Sequence, residues 1–339
     1  MLPADQTLKP VPSSQLSPAS TITSSDENVI RVKGKNIRVP SKRIFARTVI
    51  TNGKWLTLAS IRDEDLTEGE LVADPEAFVS QLKESGLKAD LFTFVQKLPD
   101  THPQYTYHTE WDNLAIIPIT TYANWFEKQA ESSVRRAVRK AAKSGVVVLE
   151  SELDDAFVQG IVNINNETPI RQGRPFWHYQ KSLEDVRREN ATYPERTIFL
   201  GAYLEDALIG FIRITFVDRV ASIIQQLSMI KHYDKRPANA LIAKAVEICE
   251  QRGYQYLMYC NYVYNDPNSS LTEFKRRSGF QKVLLPRYFI PLTAKGQIAL
   301  RLGLHHGLLQ RIPKPIVSQL LKFRNRWYEH KVDASKGSE

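Results

Sequence analysis

Three apolar segments in close succession decide the fold: Thr197-Ile-Phe-Leu-Gly-Ala-Tyr203, Leu208-Ile-Gly-Phe-Ile-Arg-Ile-Thr-Phe216 and Val220-Ala-Ser-Ile-Ile-Gln-Gln-Leu-Ser-Met-Ile230. Each is rich in β-branched and aromatic residues, which favour strands. The polar turns that link them, Glu205-Asp206 and Asp218-Arg219, are very short. Because such brief connections join antiparallel neighbours, the three segments predict an antiparallel meander.

The signals on either side of this meander alternate between strand and helix. In chain order they predict a strand over 146–150, helices over 154–167 and 179–189, the three meander strands, an amphipathic helix over 237–252, a buried strand over 256–260, a helix over 269–277 and a final pair of strands over 281–285 and 288–292. Few folds use this order. It predicts an α/β protein with a mixed, mostly antiparallel sheet flanked by helices.

The first third of the chain predicts a second, smaller α/β unit. Asn52-Gly53 lies between two apolar runs and favours a tight hairpin turn, and further signals predict a helix over 75–83 and strands over 91–95 and 114–119. The chain therefore divides into four predicted segments: a disordered Ser- and Pro-rich tail over 1–27, an N-terminal α/β unit over 28–130, the main unit over 131–292 and a basic amphipathic helical segment over 293–339.

Composition limits the partners and the compartment. The 339 residues include 46 Lys and Arg against 37 Asp and Glu, and the resulting net charge of +9 favours anionic substrates or partners. The chain has two cysteines, no apolar run of bilayer length and no secretion signal, so a cytoplasmic location is expected. Its histidines and cysteines lack the spacing of known metal sites, and no metal is expected.

The succession of elements from Val146 to Pro291 resembles the GNAT acyltransferase fold. In that superfamily the strand before the central helix and the strand after it splay apart, and the acyl donor meets the amine in the gap. The resemblance implies that free backbone N–H groups at the start of the central helix bind the pyrophosphate of acyl-CoA. The residues of that turn are Lys235, Arg236, Ala238, Asn239 and Ala240, with Ala238 where the family pattern has Gly.

Two further motifs resemble the Fem-type transferases, in which two GNAT-like halves are fused and aminoacyl-tRNA is the donor. The chain has a predicted helical stretch over 122–145 whose basic second half is followed by Val146, and a Phe274-Lys275 pair on the late helix. The resemblance implies that the N-terminal unit is a degenerate GNAT-like half and that Lys275 faces the cleft and stabilises negative charge. The alternative is that Lys275 is a solvated helix residue. The cations of the basic helix either bind phosphates or form an exposed face; they are Arg135, Arg136, Arg139, Lys140 and Lys143.

The remaining candidates for chemistry lie on a polar loop and near the central strands. Glu167 and His178 border the loop and are candidates to take a proton from an attacking amine. Arg171 and Arg174 are spaced around a Gly to bind a carboxylate or phosphate, although a merely polar surface loop is the alternative. The central strand offers amides but no carboxylate to act as base. Further residues expected to contact the substrate are Gln172, Gln226, Tyr262 and Phe274.

Three functions fit these features. The first is a Fem-like transferase that moves an acyl or aminoacyl group to an amine, for example on a cell-envelope precursor, with tRNA as a partner. The second is an acetyl-CoA-dependent N-acetyltransferase, and the third is a non-catalytic binding protein. The sequence does not indicate an oligomeric state. Residues 316–327 predict an amphipathic helix that either docks on its own domain or makes peripheral contact with an anionic membrane.

Overall fold

A computed structural model describes residues 27–32, 35–264 and 266–306. The strands within them are β1 (Glu27–Val32), β2 (Lys35–Ile44), β3 (Arg47–Asn52), β4 (Leu58–Ile61), β5 (Leu91–Val95), β6 (His108–Pro118), β7 (Val146–Ser151), β8 (Ile170–Arg171), β9 (Arg174–Pro175), β10 (Thr197–Leu204), β11 (Ala207–Val217), β12 (Val220–Ser228), β13 (Tyr256–Asn261) and β14 (Gln281–Pro291). The α-helices are α1 (Pro75–Glu84), α2 (Tyr122–Asn124), α3 (Ser132–Lys143), α4 (Asp155–Asn165), α5 (Leu183–Asn190), α6 (Pro237–Gln251), α7 (Ser270–Arg277) and α8 (Ala294–Arg301). Short 3₁₀ turns cover Glu64–Leu66, Pro194–Arg196, Ile230–Lys235 and Leu304–His306, and a π-helical turn covers Trp125–Gln129.

Twelve of these strands form one sheet, in the order β1-β2-β3-β4-β5-β14-β6-β13-β12-β11-β10-β7, and β8 with β9 forms a separate small hairpin. The meander β10-β11-β12 is antiparallel, as its short turns predicted. Parallel pairing occurs between β4 and β5 and between β12 and β13. The predicted α/β class with a mixed, mostly antiparallel sheet flanked by helices is confirmed.

Strand β14 connects the N-terminal strands to the rest of the sheet. It pairs with β6 along most of its length and with β5 at its end, and β6 pairs in turn with β13. The N-terminal segment and the meander therefore share one continuous sheet. The boundary near residue 130 stays a prediction, since a shared sheet does not by itself define domains.

Helix α6 covers one face of the meander because its apolar residues recur at helical spacing. It begins at Pro237, whose fixed φ suits the first helical position. Leu241, Ala245 and Ile248 are buried in the largest apolar cluster, which α3 also joins. Helix α4 packs on the opposite face of the sheet through Phe157 and neighbouring apolar residues. The meander is thus buried on both faces.

The last segment of the sheet is one strand, and the predicted pair of strands was wrong. Strand β14 runs through Pro286, a residue type that usually ends a strand. The Pro286 carbonyl accepts a hydrogen bond from Gln96 N at 2.8 Å, just beyond the end of β5 at Val95. The missing N–H of Pro286 therefore lies on the side where β5 has ended at Val95.

The predicted tight turn at Asn52-Gly53 was also wrong. Strands β3 and β4 do form an antiparallel pair, but Asn52 pairs with Leu58, so the loop spans residues 53–57. Gly53 is required there because its φ is 121° and an added Cβ would lie 2.0 Å from Leu56 O. The helical stretch expected over 122–145 is interrupted as well, since Ala130 is extended and α3 begins only after it.

Two predicted segments fall outside the described residues. They are the disordered tail over 1–27, apart from Glu27 at the start of β1, and the amphipathic helix over 316–327. In the part of the chain that the structure describes, no helix is both long and apolar enough to cross a bilayer.

Candidate active site

The two central strands diverge, as the GNAT resemblance implied. Strands β12 and β13 pair in parallel only where Val220–Ser222 lies beside Tyr256–Met258. Beyond these residues β12 continues to Ser228 and β13 continues to Asn261, but the two strands no longer pair with each other. The divergence opens a V-shaped gap between the strands, called the V-gap below, and α6 is the helix that connects them.

A β-bulge and a buried amide lie along the β12 side of the V-gap. Arg213 pairs with Gln225 and Ile214 with Ile223, which leaves Ile224 as the extra residue of β12. Bulges bend a strand and re-aim its side chains, and they are frequent beside active sites. Gln226 donates from Nε2 to Ala238 O at 3.2 Å, while its Oε1 is buried without a partner among the described residues.

The turn at the start of α6 does not require Gly at position 238. Its left-handed residue is Arg236, with φ 61°, and Ala238 is not among the described residues with positive φ. The N–H groups of Asn239 and Ala240 bond back to Arg236 O at 3.1 and 3.3 Å. A Cβ on Ala238 is therefore compatible with the turn, although two of the expected phosphate-binding N–H groups already have a partner.

A basic groove of about 530 Å³ lies between α3, the start of α6 and α7, and is called the α3–α6 groove below. Arg136, Lys140 and Arg236 line it, and none of the three has a carboxylate partner among the described residues. Its one carboxylate, Glu273, is paired with Arg276 and with Arg277. The groove therefore presents uncompensated positive charge. Lys235 is not part of its lining and lies 3.5 Å from Asp234.

Lys275 is buried, so the alternative of a solvated helix residue was wrong. Its Nζ donates to Asn261 O at 2.5 Å and lies 4.5 and 4.9 Å from the ring centroids of Tyr259 and Tyr264. Burial lowers the pKa of Lys275 from 10.5 to about 8. A lysine with this pKa is still mostly charged at neutral pH, and it lies beside the last residue of β13, at the edge of the V-gap.

Cys260 gives the V-gap a strained backbone position. Its φ is 46°, in the left-handed region that residues other than Gly rarely adopt. The Sγ lies 3.6 Å from Ile223 O of β12, so this side chain reaches across the gap. Burial raises the pKa of the Cys260 thiol. Strain of this kind is common at functional sites, and the sequence carried no signal for it.

Part of the chain is similar to a known family. Residues 160–280 match the model of the Acetyltransferase (GNAT) family. We call residues 160–280 the GNAT domain below, after the family model that they match. Its matched residues include the meander, the V-gap strands, α6 and Lys275. No curated protein sequence matches the chain.

Solved structures extend the similarity beyond the GNAT domain. FemX has 12% sequence identity and a TM-score of 0.50, with 81% of this chain and 90% of that chain covered. L-PGS from Bacillus licheniformis has 11% identity and a TM-score of 0.50, with 74% of this chain and 83% of that chain covered. At these identities the similarity shows the fold, and it includes most of the chain rather than the GNAT domain alone.

The polar loop of the GNAT domain is held by its own contacts. Glu167 accepts hydrogen bonds from Ile230 N at 2.6 Å and Lys231 N at 2.8 Å, and pairs with Arg171 at 3.2 Å. Arg171 donates to Ser228 O and Ile164 O. Both side chains thus fix the segment between β12 and α6 on the end of α4. Arg171 is engaged in these contacts and Arg174 is exposed, and binding of a carboxylate or phosphate by this pair stays a prediction.

The other predicted residues lie in four places: on the loop, beside β12, at the main apolar cluster and in the α3–α6 groove. Gln172 is exposed at the tip of the β8–β9 hairpin, away from the groove lining. His178 lies 3.4 Å from the Gln225 amide and 3.3 Å from Lys181 Nζ, which places it beside β12. Tyr262 packs against the main apolar cluster, and Phe274 lines the α3–α6 groove. Their predicted roles in binding and catalysis stay predictions.

A second cleft lies between the GNAT domain and the N-terminal strands, on the face of the sheet opposite the α3–α6 groove. It measures about 750 Å³, and the bulged residue Ile224 lines it. Tyr193 donates to Asp63 at 2.8 Å across this cleft. Burial, followed by the hydrogen bond to Asp63, raises the pKa of Tyr193 to about 12. We call it the N-terminal cleft.

Asp65 is a candidate base that sequence reasoning missed. It lines a small cavity of about 50 Å³ with Val220 and Met258, which belong to the paired stretch of β12 and β13 where the V-gap closes. Asp65 stays accessible to solvent, yet its concave surroundings desolvate it and raise its pKa above 3.8; Asp112 adds to the rise and Arg287 opposes it. The acidic run Asp63-Glu64-Asp65 in a basic chain was the available signal.

A further cluster lies away from the V-gap and was not visible from sequence spacing. His108, Glu110 and His305 place one ligand atom each within 4.8 Å of the others, which is close enough to hold a metal ion. The expectation of no metal site depended on short sequence spacings. These residues come together only through the fold.

Proposed function

We propose that this protein is a Fem-like GNAT acyl or aminoacyl transferase that moves an acyl group from a phosphate-bearing donor to an amine. The observation that carries the proposal is the V-gap, with buried Lys275 at its edge and the α3–α6 groove at the start of α6. The match to the GNAT family supports acyl transfer in general. Similarity to the FemX fold over most of the chain supports the Fem-like class.

The α3–α6 groove suits the donor. Guanidinium and ammonium groups without carboxylate partners attract phosphates, and Arg136, Lys140 and Arg236 are such groups. The exposed cations Arg139 and Lys143 extend this charge along α3, beyond the groove. An extended basic surface fits the phosphate backbone of aminoacyl-tRNA, which supports tRNA as a partner.

The N-terminal cleft suits the acceptor, since the bulged residue Ile224 of the V-gap strand β12 lines it. The amine lone pair attacks the donor carbonyl carbon, the carbonyl oxygen gains negative charge, and collapse expels the thiolate or ribose oxygen of the donor. The Lys275 ammonium stabilises the negative charge. Asp65 accepts the proton that the amine loses, because its raised pKa makes it a better base than an ordinary aspartate.

One observation favours a second candidate, an acetyl-CoA-dependent N-acetyltransferase. The turn before α6 places its left-handed residue at Arg236, so Ala238 does not obstruct it through backbone strain. The cell-envelope acceptor, the cytoplasmic location and membrane contact through residues 316–327 stay predictions.

The test is stabilisation of the full chain by candidate donors and acceptors. A raised Tm with aminoacyl-tRNA or a nucleotide-linked cell-wall precursor supports the Fem-like class, and a raised Tm with acetyl-CoA supports the second candidate. The donor effect should be lost in the Arg136→Glu/Lys140→Glu double variant. It should persist in Lys83→Glu, which reverses an exposed charge on α1, outside the groove lining and the basic surface of α3. No stabilisation by any of these molecules contradicts both and leaves the non-catalytic binding protein.

A further inference from the structure

Three imidazoles converge on a single carboxylate oxygen far from the V-gap. Glu110 Oε1 lies 2.6 Å from His305 Nε2, 2.8 Å from His306 Nε2 and 3.5 Å from His108 Nε2. The ring centroids of His305 and His306 are 4.0 Å apart, and those of His108 and His305 are 5.8 Å apart. We call these four residues the histidine cluster.

Rigid elements position the cluster. His108 and Glu110 are two residues apart on β6, so their side chains leave the same face of the strand. His305 and His306 lie on the 3₁₀ turn that follows α8, with Gly303 at φ 64° between helix and turn. Phe289, the neighbour of His108 on β14, packs against His305 with the ring centroids 4.9 Å apart. The turn is therefore held over β6.

Hydrogen bonds to Glu110 do not account well for the positions of the three imidazoles. Three imidazole nitrogens compete for one carboxylate oxygen, whereas they would normally be distributed over both oxygens of Glu110. His305 has only 2% of its side chain exposed, and its Nδ1 is buried without a partner among the described residues. The nitrogen of His305 that faces Glu110 is Nε2, and it shares one carboxylate oxygen with two other imidazoles.

A cation at the centre would resolve the crowding. Imidazole nitrogen and carboxylate oxygen are the usual ligands of Zn²⁺, and with bonds of about 2.0 to 2.1 Å the ligands of a tetrahedral site lie about 3.3 Å apart. The separations of 2.6 to 3.5 Å around Glu110 bracket this value. We propose that His108, Glu110 and His305 bind a divalent transition-metal ion of the Zn²⁺ type, with His306 beside Glu110.

The proposed ion is a structural clip rather than part of the acyl-transfer site. Its ligands connect β6 to the turn after α8, across 195 residues of sequence. None of the four residues lines the α3–α6 groove or the N-terminal cleft. Metal binding to the folded chain should therefore raise its stability. This inference does not depend on the proposed transferase function.

The experiment uses the untagged full-length chain, stripped with chelator and then titrated with Zn²⁺. The wild type should bind one equivalent, and Co²⁺ should give the visible absorption of a four-coordinate site. His108→Ala and Glu110→Gln should each bind Zn²⁺ at least tenfold more weakly. His108→Ala is the variant least expected to disturb folding, since 45% of the His108 side chain is exposed, so weaker binding in it reports the loss of a ligand. His102→Ala, an exposed histidine outside the cluster, should bind like the wild type.

Thermal unfolding supplies the second measurement. Zn²⁺ should raise the Tm of the wild type and of His102→Ala by more than it raises that of Glu110→Gln. Less than half an equivalent of Zn²⁺ on the wild type would overturn the proposal. Equal affinity in the wild type, His108→Ala and Glu110→Gln would overturn it too, because binding would then lie elsewhere.

Discussion

The burial of Lys275 predicts an unusual dependence of stability on pH. Its pKa is about 8 in the folded chain and 10.5 without burial. At about 1.4 kcal/mol for each pKa unit, the charged folded form carries a cost of about 3 kcal/mol. Because the folded pKa is the lower one, this cost is fully present below pH 8. It disappears as pH rises from about 8 to above 10.5, where lysine is neutral in both states.

The substitution Lys275→Met isolates this effect, because Met fills a similar volume and does not titrate. The free energy of unfolding of both proteins is measured with urea between pH 7 and pH 10. As the pH rises over this range, the value for the wild type should increase by about 2 to 3 kcal/mol relative to the value for Lys275→Met. Lys282→Met, at an exposed lysine, should show no such change. A constant difference between wild type and Lys275→Met over this range would refute the lowered pKa and the burial behind it.

The same burial corrects an expectation from the sequence. A solvated Lys275, the alternative left open by the sequence, would be replaced by Ala with little change in the melting temperature. The buried side chain instead fills space against Tyr259 and Tyr264. Replacing it by Ala leaves a cavity, with an expected loss of about 2 to 5 kcal/mol. Lys275→Met is therefore the better variant for tests of activity.

Three other predictions concern the groove, the base and the loop. The salt dependence of aminoacyl-tRNA binding should become shallower by about one unit of log–log slope for each of Arg136→Ala and Lys140→Ala, and an unchanged slope would exclude them as phosphate contacts. Asp65→Asn should slow transfer by about a hundredfold or more, while Asp206→Asn, an exposed control, should not. As the pH is lowered, the wild-type rate should begin to fall at a higher pH than an ordinary aspartate would give, because the pKa of Asp65 is raised. Equal rates in both variants would exclude Asp65 as the base. Glu167→Gln should lower the free energy of unfolding by about 1 to 3 kcal/mol because an amide cannot accept from both Ile230 N and Lys231 N, and unchanged urea unfolding would contradict that role.

Local patterns were sufficient to predict most of the fold. Apolar strands joined by two-residue polar turns could hardly form anything but the meander β10-β11-β12, and the amphipathic period of residues 237–252 defined α6 nearly to the residue. The errors arose where a local rule was overridden. Pro286 usually ends a strand, but its missing donor falls where β5 has ended.

The candidate site was less predictable because its chemistry depends on tertiary contacts. The V-gap followed from the family resemblance, and Lys275 was singled out, but its burial depends on Tyr259, Tyr264 and the carbonyl of Asn261. Glu167 and Arg171 form a polar cluster in sequence that the fold uses to hold backbone groups. The sequence alone does not distinguish these two outcomes for a charged side chain.

The histidine cluster shows the same limit at long range. Sequence spacing detects metal ligands that share one helix or loop, as in the common zinc motifs. His108 and His305 are brought together only by the pairing of β6 with β14 and the packing of α8 on β14. A search by spacing therefore could not find them.

The central claim is that this chain transfers an acyl group from a phosphate-bearing donor to an amine. Its most direct test is the movement of radiolabel from labelled aminoacyl-tRNA or acetyl-CoA into amine-containing cell-envelope precursors, with the wild type and Lys275→Met compared at equal folded concentration. The account predicts that the wild type forms a stable amide-linked product from one of these donors and that Lys275→Met does so at least a hundredfold more slowly. No labelled product from either donor, or equal rates for the two proteins, would contradict it.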